Sequence, residues 1–219
     1  MKKIISYVVI IICLLLFPFS INKVVNVSAF IDYIVFIDAG HGGKDNGANY
    51  LNIYEDEINL NIAKKLYEKC IDKNFMAFIS RTGDYDLSSL YAKNHKQEDL
   101  KHRAEIINHS GCDIFVSIHT NQYHSNEVSG SMVYYEKQDE QSYLLAKSVQ
   151  KELNILTNKD KKVHFDNFYL FKNCDKPGIL IEVGFISNEE ERIKLLNEQY
   201  QEALVNAIYE GIYQFYLQK

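Results

Sequence analysis

Strand-length runs alternate along this chain with stretches of helical period, and that alternation limits the fold more than any other feature. Tyr33–Ile37, Phe75–Ile79, Ile114–Ile118, Ser131–Tyr135 and Gly178–Val183 are apolar and rich in β-branched or aromatic residues, which predicts strands. Between them, Glu57–Lys73 carries Ile58, Ile62, Leu66 and Cys70 at helical spacing. Glu98–His109 carries Leu100, Ala104 and Ile107 and is closed by Gly111. Glu140–Leu156, Glu189–Leu196 and Glu198–Tyr216 predict three more helices, and the polar stretch Asp86–Gln97 a loop or broken helix. Val163–Lys172 is aromatic and ambiguous; we assign a short strand near Phe168–Phe171. The expected fold is α/β: a single domain with a mostly parallel twisted sheet, helices on both faces, and the site at the carboxyl ends of the strands.

The N-terminus has a different composition. Lys2 and Lys3 precede an apolar run from Ile4 to Phe19, and Val27-Ser28-Ala29 supplies small residues for cleavage. Residues 1–29 therefore read as an export signal or, uncleaved, a membrane anchor, with residues 30–219 as one catalytic domain outside the cytoplasmic membrane. Removing residues 1–29 moves the formal net charge from −5 to about −8. Such an acidic domain, with no basic patch evident in the sequence, argues against nucleic acid and against electrostatic docking on anionic lipid. Cys70, Cys112 and Cys174 lack C-x-x-C spacing and are odd in number, so packed thiols are expected rather than a disulfide framework.

Three strands end on groups that bind metals or move protons. The first runs into Asp38-Ala39-Gly40-His41-Gly42-Gly43, the third into His119-Thr120-Asn121, and the fifth contains Glu182. Glycines around His41 permit positive φ and leave its imidazole uncrowded. Glu55 precedes the first helix and can return to the same edge, with Asp56 and Glu57 as alternatives. Two histidines and a carboxylate form a common catalytic zinc set with one position open to water, and a further carboxylate can carry a proton. Glu182 ends an apolar run, where an unpaired carboxylate is costly, so it needs a partner or a purpose. His95, His102 and His109 recur every seven residues, a spacing we take as coincidence; His124 and His164 have no supporting context. Patterns such as H-E-x-x-H, G-x-S-x-G and the P-loop are absent.

Taken together, Ile37–Gly43, Tyr54-Glu55, Val116–Asn121 and Ile181–Asn188 resemble, in order, the signature blocks of the zinc-dependent N-acetylmuramoyl-L-alanine amidases of the type 3 family. Arg81 and Arg103-Ala104 fit that pattern too. The resemblance spans Tyr33 to the C-terminus. It implies His41, Glu55 and His119 as zinc ligands and Glu182 as the catalytic carboxylate. It also implies hydrolysis of the amide between N-acetylmuramic acid and the L-alanine of the stem peptide, with peptidoglycan glycan strands as substrate. Asn46 stands where proline is frequent and Thr120 where alanine is, and neither is expected to carry chemistry. Asp38 is expected to orient a ligand histidine, and the glycines to leave room for substrate. The short layout resembles the spore-cortex, germination-specific branch, which removes stem peptides on the way to muramic-δ-lactam. An activator protein is compatible with the sequence but not readable from it. The competing readings are a zinc carboxypeptidase, for which an H-x-x-E ligand pair is expected but Lys44 stands three residues after His41, and a non-catalytic wall-binding or partner-binding protein.

Overall fold

In the computed structural model, which describes residues 31–219, β1 (Ile31–Ala39) is an interior strand buried from Val35 to Ala39. The segment read as an export signal lies outside the described residues. After β1 come a short hairpin, β2 (Asn49–Tyr50) and β3 (Ile53–Tyr54), then α1 (Glu55–Asp72), β4 (Phe75–Ile79), α2 (His95–His109) and β5 (Ile114–Asn121). The second half comprises β6 (Met132–Tyr135), α3 (Glu140–Thr157), β7 (His164–Phe165), α4 (Tyr169–Asn173), β8 (Gly178–Phe185), α5 (Glu189–Leu195) and α6 (Glu198–Tyr216). The main sheet has the order β4-β1-β5-β8-β6-β7. The first four strands are mutually parallel, β6 runs antiparallel to β8, and β7 runs parallel to β6. This is the expected single α/β domain. Among the described residues, no helix is long and apolar enough to cross a membrane.

The two-residue period of a strand divides the central side chains between two cores. Val35, Ile37, Val116, Ile118, Ile179 and Ile181 join the larger one, built with α1, α3 and α6. Phe36, Phe115 and Leu180 face the smaller one, with Ala104 and Ile107 of α2 and Leu170 and Phe171 of α4. Continuing along that second face toward the strand ends brings Asp38, Ser117, His119 and Glu182 to one side of the sheet. In register, Asp38 lies beside Ser117 and His119 beside Glu182. The polar residues thus collect where the thinner helical layer leaves the sheet accessible.

Local chemistry explains where the elements depart from expectation. α1 starts at Glu55 because its acidic first turn suits the positive end of the helix, and Glu55 N donates to Ala48 O at 2.9 Å. α2 starts at His95 because the Asn94 side chain accepts from Gln97 N and caps a turn with no apolar period. The assigned strand near Phe168–Phe171 is instead helix α4, and the strand lies earlier, at β7. In so short an aromatic run, periodicity does not separate the two. Cys70 and Cys112 are buried, Cys174 partly so, and all three are free thiols. Burial pushes the Cys70 thiol up to about 12.

α3 and α6 touch at backbone distance. A Cβ on Gly211 would lie 2.5 Å from Val149 Cα. Alanine raises helix propensity by about 1 kcal/mol, but overpacking costs about 1–3 kcal/mol and cannot be relieved by rotating a side chain. Gly211→Ala is therefore expected to lower stability in chemical denaturation; a raised midpoint would show that the two helices separate easily.

Candidate metal centre

The loop after β1 is shaped by two buried arginines. Arg103 donates to the carbonyls of Ala39 and His41, each at 2.6 Å, while pairing with Asp38 at 2.6 Å and Asp99 at 2.7 Å. Arg81 donates to the carbonyls of Ala39, Gly40 and Asp56. These contacts hold His41 at φ +61, a left-handed conformation that a non-glycine residue keeps only when its surroundings over-determine it. Asp38 does not hydrogen-bond an imidazole: its carboxylate pairs with Arg103 and accepts from Ser117 Oγ at 2.7 Å, and it acts on His41 only through the Arg103 bond to His41 O.

Three of the sequence candidates converge. Donor atoms of His41, Glu55 and His119 all lie within 4.8 Å of one another. Glu55 Oε1 is 3.3 Å from His41 Nε2 and 3.0 Å from His119 Nδ1. The choice among neighbouring acids is made by helix direction: Glu55 faces the imidazoles, Glu57 is exposed, and Asp56 offers Arg81 its backbone carbonyl while its own Oδ1 is buried without a hydrogen-bond partner. Glu182 lies beside His119 across β5 and β8. Its side chain reaches the cleft, yet Oε2 is buried with no hydrogen-bond partner. The other histidines stand apart. Nδ1 of His102 and of His109 contacts a backbone carbonyl, His95 joins Ser88 and Lys44, and His124 and His164 are exposed.

Several supporting residues were not read from the sequence. Asp45 Oδ2 lies 3.0 Å from His41 Nδ1, leaving Nε2 to face Glu55. Asn59 donates to Glu55 Oε1 at 3.1 Å, and Ala48 N to Oε2 at 2.8 Å. Thr120, not expected to carry chemistry, supports the donors: it donates its N–H to Glu55 Oε1 and its hydroxyl to Asn59 Oδ1. The i, i+4 spacing of His41 and Asp45 was the available clue. Gly42 and Gly43 take the positive φ expected of the glycines around His41, at +125 and +61. Gly40 instead makes room for a donor, since a Cβ there would strike the His119 ring, and Gly47, outside the expected set, does the same for Glu55, where a Cβ would lie 2.5 Å from Oε2.

Burial and hydrogen bonding push the two glutamates apart. Burial works against the Glu55 charge, but bonds from His119 and His41 outweigh it and hold its pKa far below the usual range. Glu182 has no such donors, and burial raises it to about 7. Burial opposes the His41 charge too, but Glu55 and Asp45 raise its pKa to about 8. Two imidazoles and a carboxylate at this spacing, in a cleft of about 530 Å³, are a donor set that suits a tetrahedral divalent metal with an open position. Phe115, Phe168 and Leu180 line the apolar side of the cleft.

Residues 35–214 match the family model described as N-acetylmuramoyl-L-alanine amidase. The chain belongs to this amidase family. The amidase is 35% identical over 193 residues to the germination-specific N-acetylmuramoyl-L-alanine amidase of Bacillus subtilis, covering 85% of this chain and 81% of that one. It is 32% identical to the amidase LytC of the same organism, covering 83% of this chain but 35% of LytC. Among solved structures, the CwlD amidase of Clostridioides difficile, in complex with the GerS lipoprotein, superposes with a TM-score of 0.82 at 34% identity, over 86% of this chain and 100% of that one. Family membership and the convergence of the candidates do not favour the carboxypeptidase and non-catalytic readings.

If His41 is a metal ligand, a proton would compete with the metal for it, because Glu55 and Asp45 raise its pKa to about 8. Apparent metal affinity of the amidase should therefore rise about tenfold per pH unit up to about pH 8 and then level off, as read by metal titration from pH 6 to 9. A flat profile would remove His41 from the donor set. Asp45→Asn is expected to weaken metal binding about 10–100-fold, because the bond that orients the His41 ring is degraded.

Proposed function

We propose that the amidase is a zinc enzyme in which His41, Glu55 and His119 hold the metal and Glu182 carries the proton. The observation that carries this reading is the unpartnered Glu182 Oε2 beside a His-Glu-His cluster. When bound, zinc supplies Lewis acidity, polarising the amide carbonyl and making a water a better nucleophile. Glu182 takes the proton of the attacking water and passes it to the amide nitrogen as the C–N bond breaks. The lactyl group leaves as a carboxylate and L-alanine as a free amine. A carboxyl pushed up to about 7 by burial both accepts and releases a proton near neutrality. Asp45 and Asn59 keep His41 and Glu55 aimed, and Phe115, Phe168 and Leu180 offer an apolar wall to the substrate.

The same reading places the enzyme outside the cytoplasmic membrane, behind an export signal or anchor in residues 1–29, acting on peptidoglycan. Similarity to the germination-specific amidase of Bacillus subtilis supports spore-cortex glycan as substrate, in the removal of stem peptides that precedes muramic-δ-lactam. The GerS complex of the CwlD amidase supports a need for a protein partner here too.

Digesting purified glycan strands with the zinc-loaded domain should release free L-alanine amino termini; release of terminal D-alanine instead would overturn the assignment. Glu182→Gln should retain zinc while losing at least about 10²-fold in kcat. Full turnover in that variant would remove Glu182 from the mechanism. Metal analysis should find Glu55→Ala depleted and Glu57→Ala at wild-type stoichiometry.

A further inference from the structure

A groove of about 700 Å³ runs between α3 and the segment that follows it, with Tyr135 at the end of β6 on its lining. Lys147, Lys151, Lys159, Lys161 and Lys162 line it against a single acid, Asp160, in a chain of net charge −5. The sequence suggested no basic patch; folding creates one. Among the described residues, only Lys151 of these five has a carboxylate at ion-pair distance, Glu152 at 3.6 Å.

Lysines on the outer face of an amphipathic helix are ordinary. Here two separate segments are fastened together to present them. Asn154 of α3 donates to Lys161 O at 2.8 Å and accepts from Lys161 N at 3.1 Å. Gln150 braces Asn154 and donates to Ser131 O. Asn158, at φ +50, turns the chain from the helix into the lysine run. At the other end of the groove, Tyr135 and Tyr143 lie 5.2 Å apart, with Lys147 Nζ 5.4 Å from the Tyr143 ring centre. Flat aromatic faces beside free cations suit a polymer of pyranose rings carrying carboxylates.

The reaction makes such a polymer. Hydrolysis breaks the lactyl C–N bond, adds the elements of water, and leaves a carboxylate on the sugar while the peptide departs with its new amine. Each cut therefore puts a negative charge directly on the glycan and removes the bulky peptide. We infer that the groove between α3 and the lysine segment is a second glycan site, which holds strand already stripped of peptide by the active site. This rests on the amidase reading proposed above. A product strand retained there keeps neighbouring uncut amides within reach, so cuts fall in runs along one strand.

The test uses stripped glycan, which has no scissile amide, and the triple variant Lys147→Glu/Lys151→Glu/Lys162→Glu, whose three side chains are exposed. The wild-type protein should bind labelled stripped glycan in a salt-sensitive way, and the variant about tenfold more weakly. Hydrolysis of a short soluble muramyl-peptide should be unchanged, while cuts on long strands become scattered. Equal binding by both proteins would overturn the proposal, as would stronger retention by a phosphate-bearing wall polymer than by stripped glycan. A failure of the amidase reading appears in the muramyl-peptide assay, and a failure of the groove in the binding assay.

Discussion

Everything at the catalytic edge depends on how Arg103 is held. Its guanidinium lies between Asp38 and Asp99 and still reaches the carbonyls of Ala39 and His41. A lysine would offer a point charge without this fork, so the position requires the planar donor array. The ions are buried, and Asp38 and Arg103 each support the other's charge: Arg103 holds Asp38 below the ordinary carboxylate range despite its burial. Removing Arg103 leaves Asp38 an uncompensated buried charge, which costs about 3–5 kcal/mol in comparable pairs, whereas removing Asp38 leaves Arg103 with Asp99 alone. What the pair secures is backbone direction. Two arginines bind consecutive carbonyls, the chain turns through a left-handed histidine, and the His41 ring is delivered to Glu55.

The donors are then immobilised from behind. Glu55 accepts from Ala48 N, Asn59 Nδ2 and Thr120 N, three donors from three parts of the chain, before any metal is considered. His41 is fixed through Asp45, and His119 packs edge-on against His41 with ring centres 5.0 Å apart. Gly40 and Gly47 exist where a β-carbon would strike those donors. A site so constrained loses little conformational freedom on binding a ligand.

The strand ends were legible because a period of two and a run of apolar residues announce both the strand and its last side chains. His41, His119 and Glu182 could thus be placed on one edge without knowing the strand order. Thr120 was not legible in this role, since its contacts join residues 61 and 65 positions apart, whereas Asp45 and Asn59 stand four residues from the groups they support and were hidden only because side-chain direction decides such pairs. Helix α2 was read three residues short because a cap, not a hydrophobic period, starts it. The lysine groove was invisible for a related reason: Lys147 and Lys151 meet Lys161 and Lys162 only through the bonds of Asn154.

Two glutamates at one cleft finish with opposite character, and the difference lies in who donates to them. Both are desolvated, which alone raises a carboxyl pKa. Glu55 sits at a helix N-terminus, meets two imidazoles and accepts backbone N–H groups, so it stays ionised and suits a metal. Glu182 projects from the middle of a buried strand, where the main-chain donors are already used in the sheet, and its Oε2 finds none. It is raised to about 7 and is also acted on by the Glu55 charge. Paired titratable groups pushed apart in this way suit the division of labour proposed for hydrolysis, in which one would hold its charge and the other exchange a proton. The division follows from placement: Glu55, at the entry to α1, is reached by the N–H groups of Ala48 in the preceding loop and of Thr120 near the end of β5, whereas no donor reaches Glu182 Oε2.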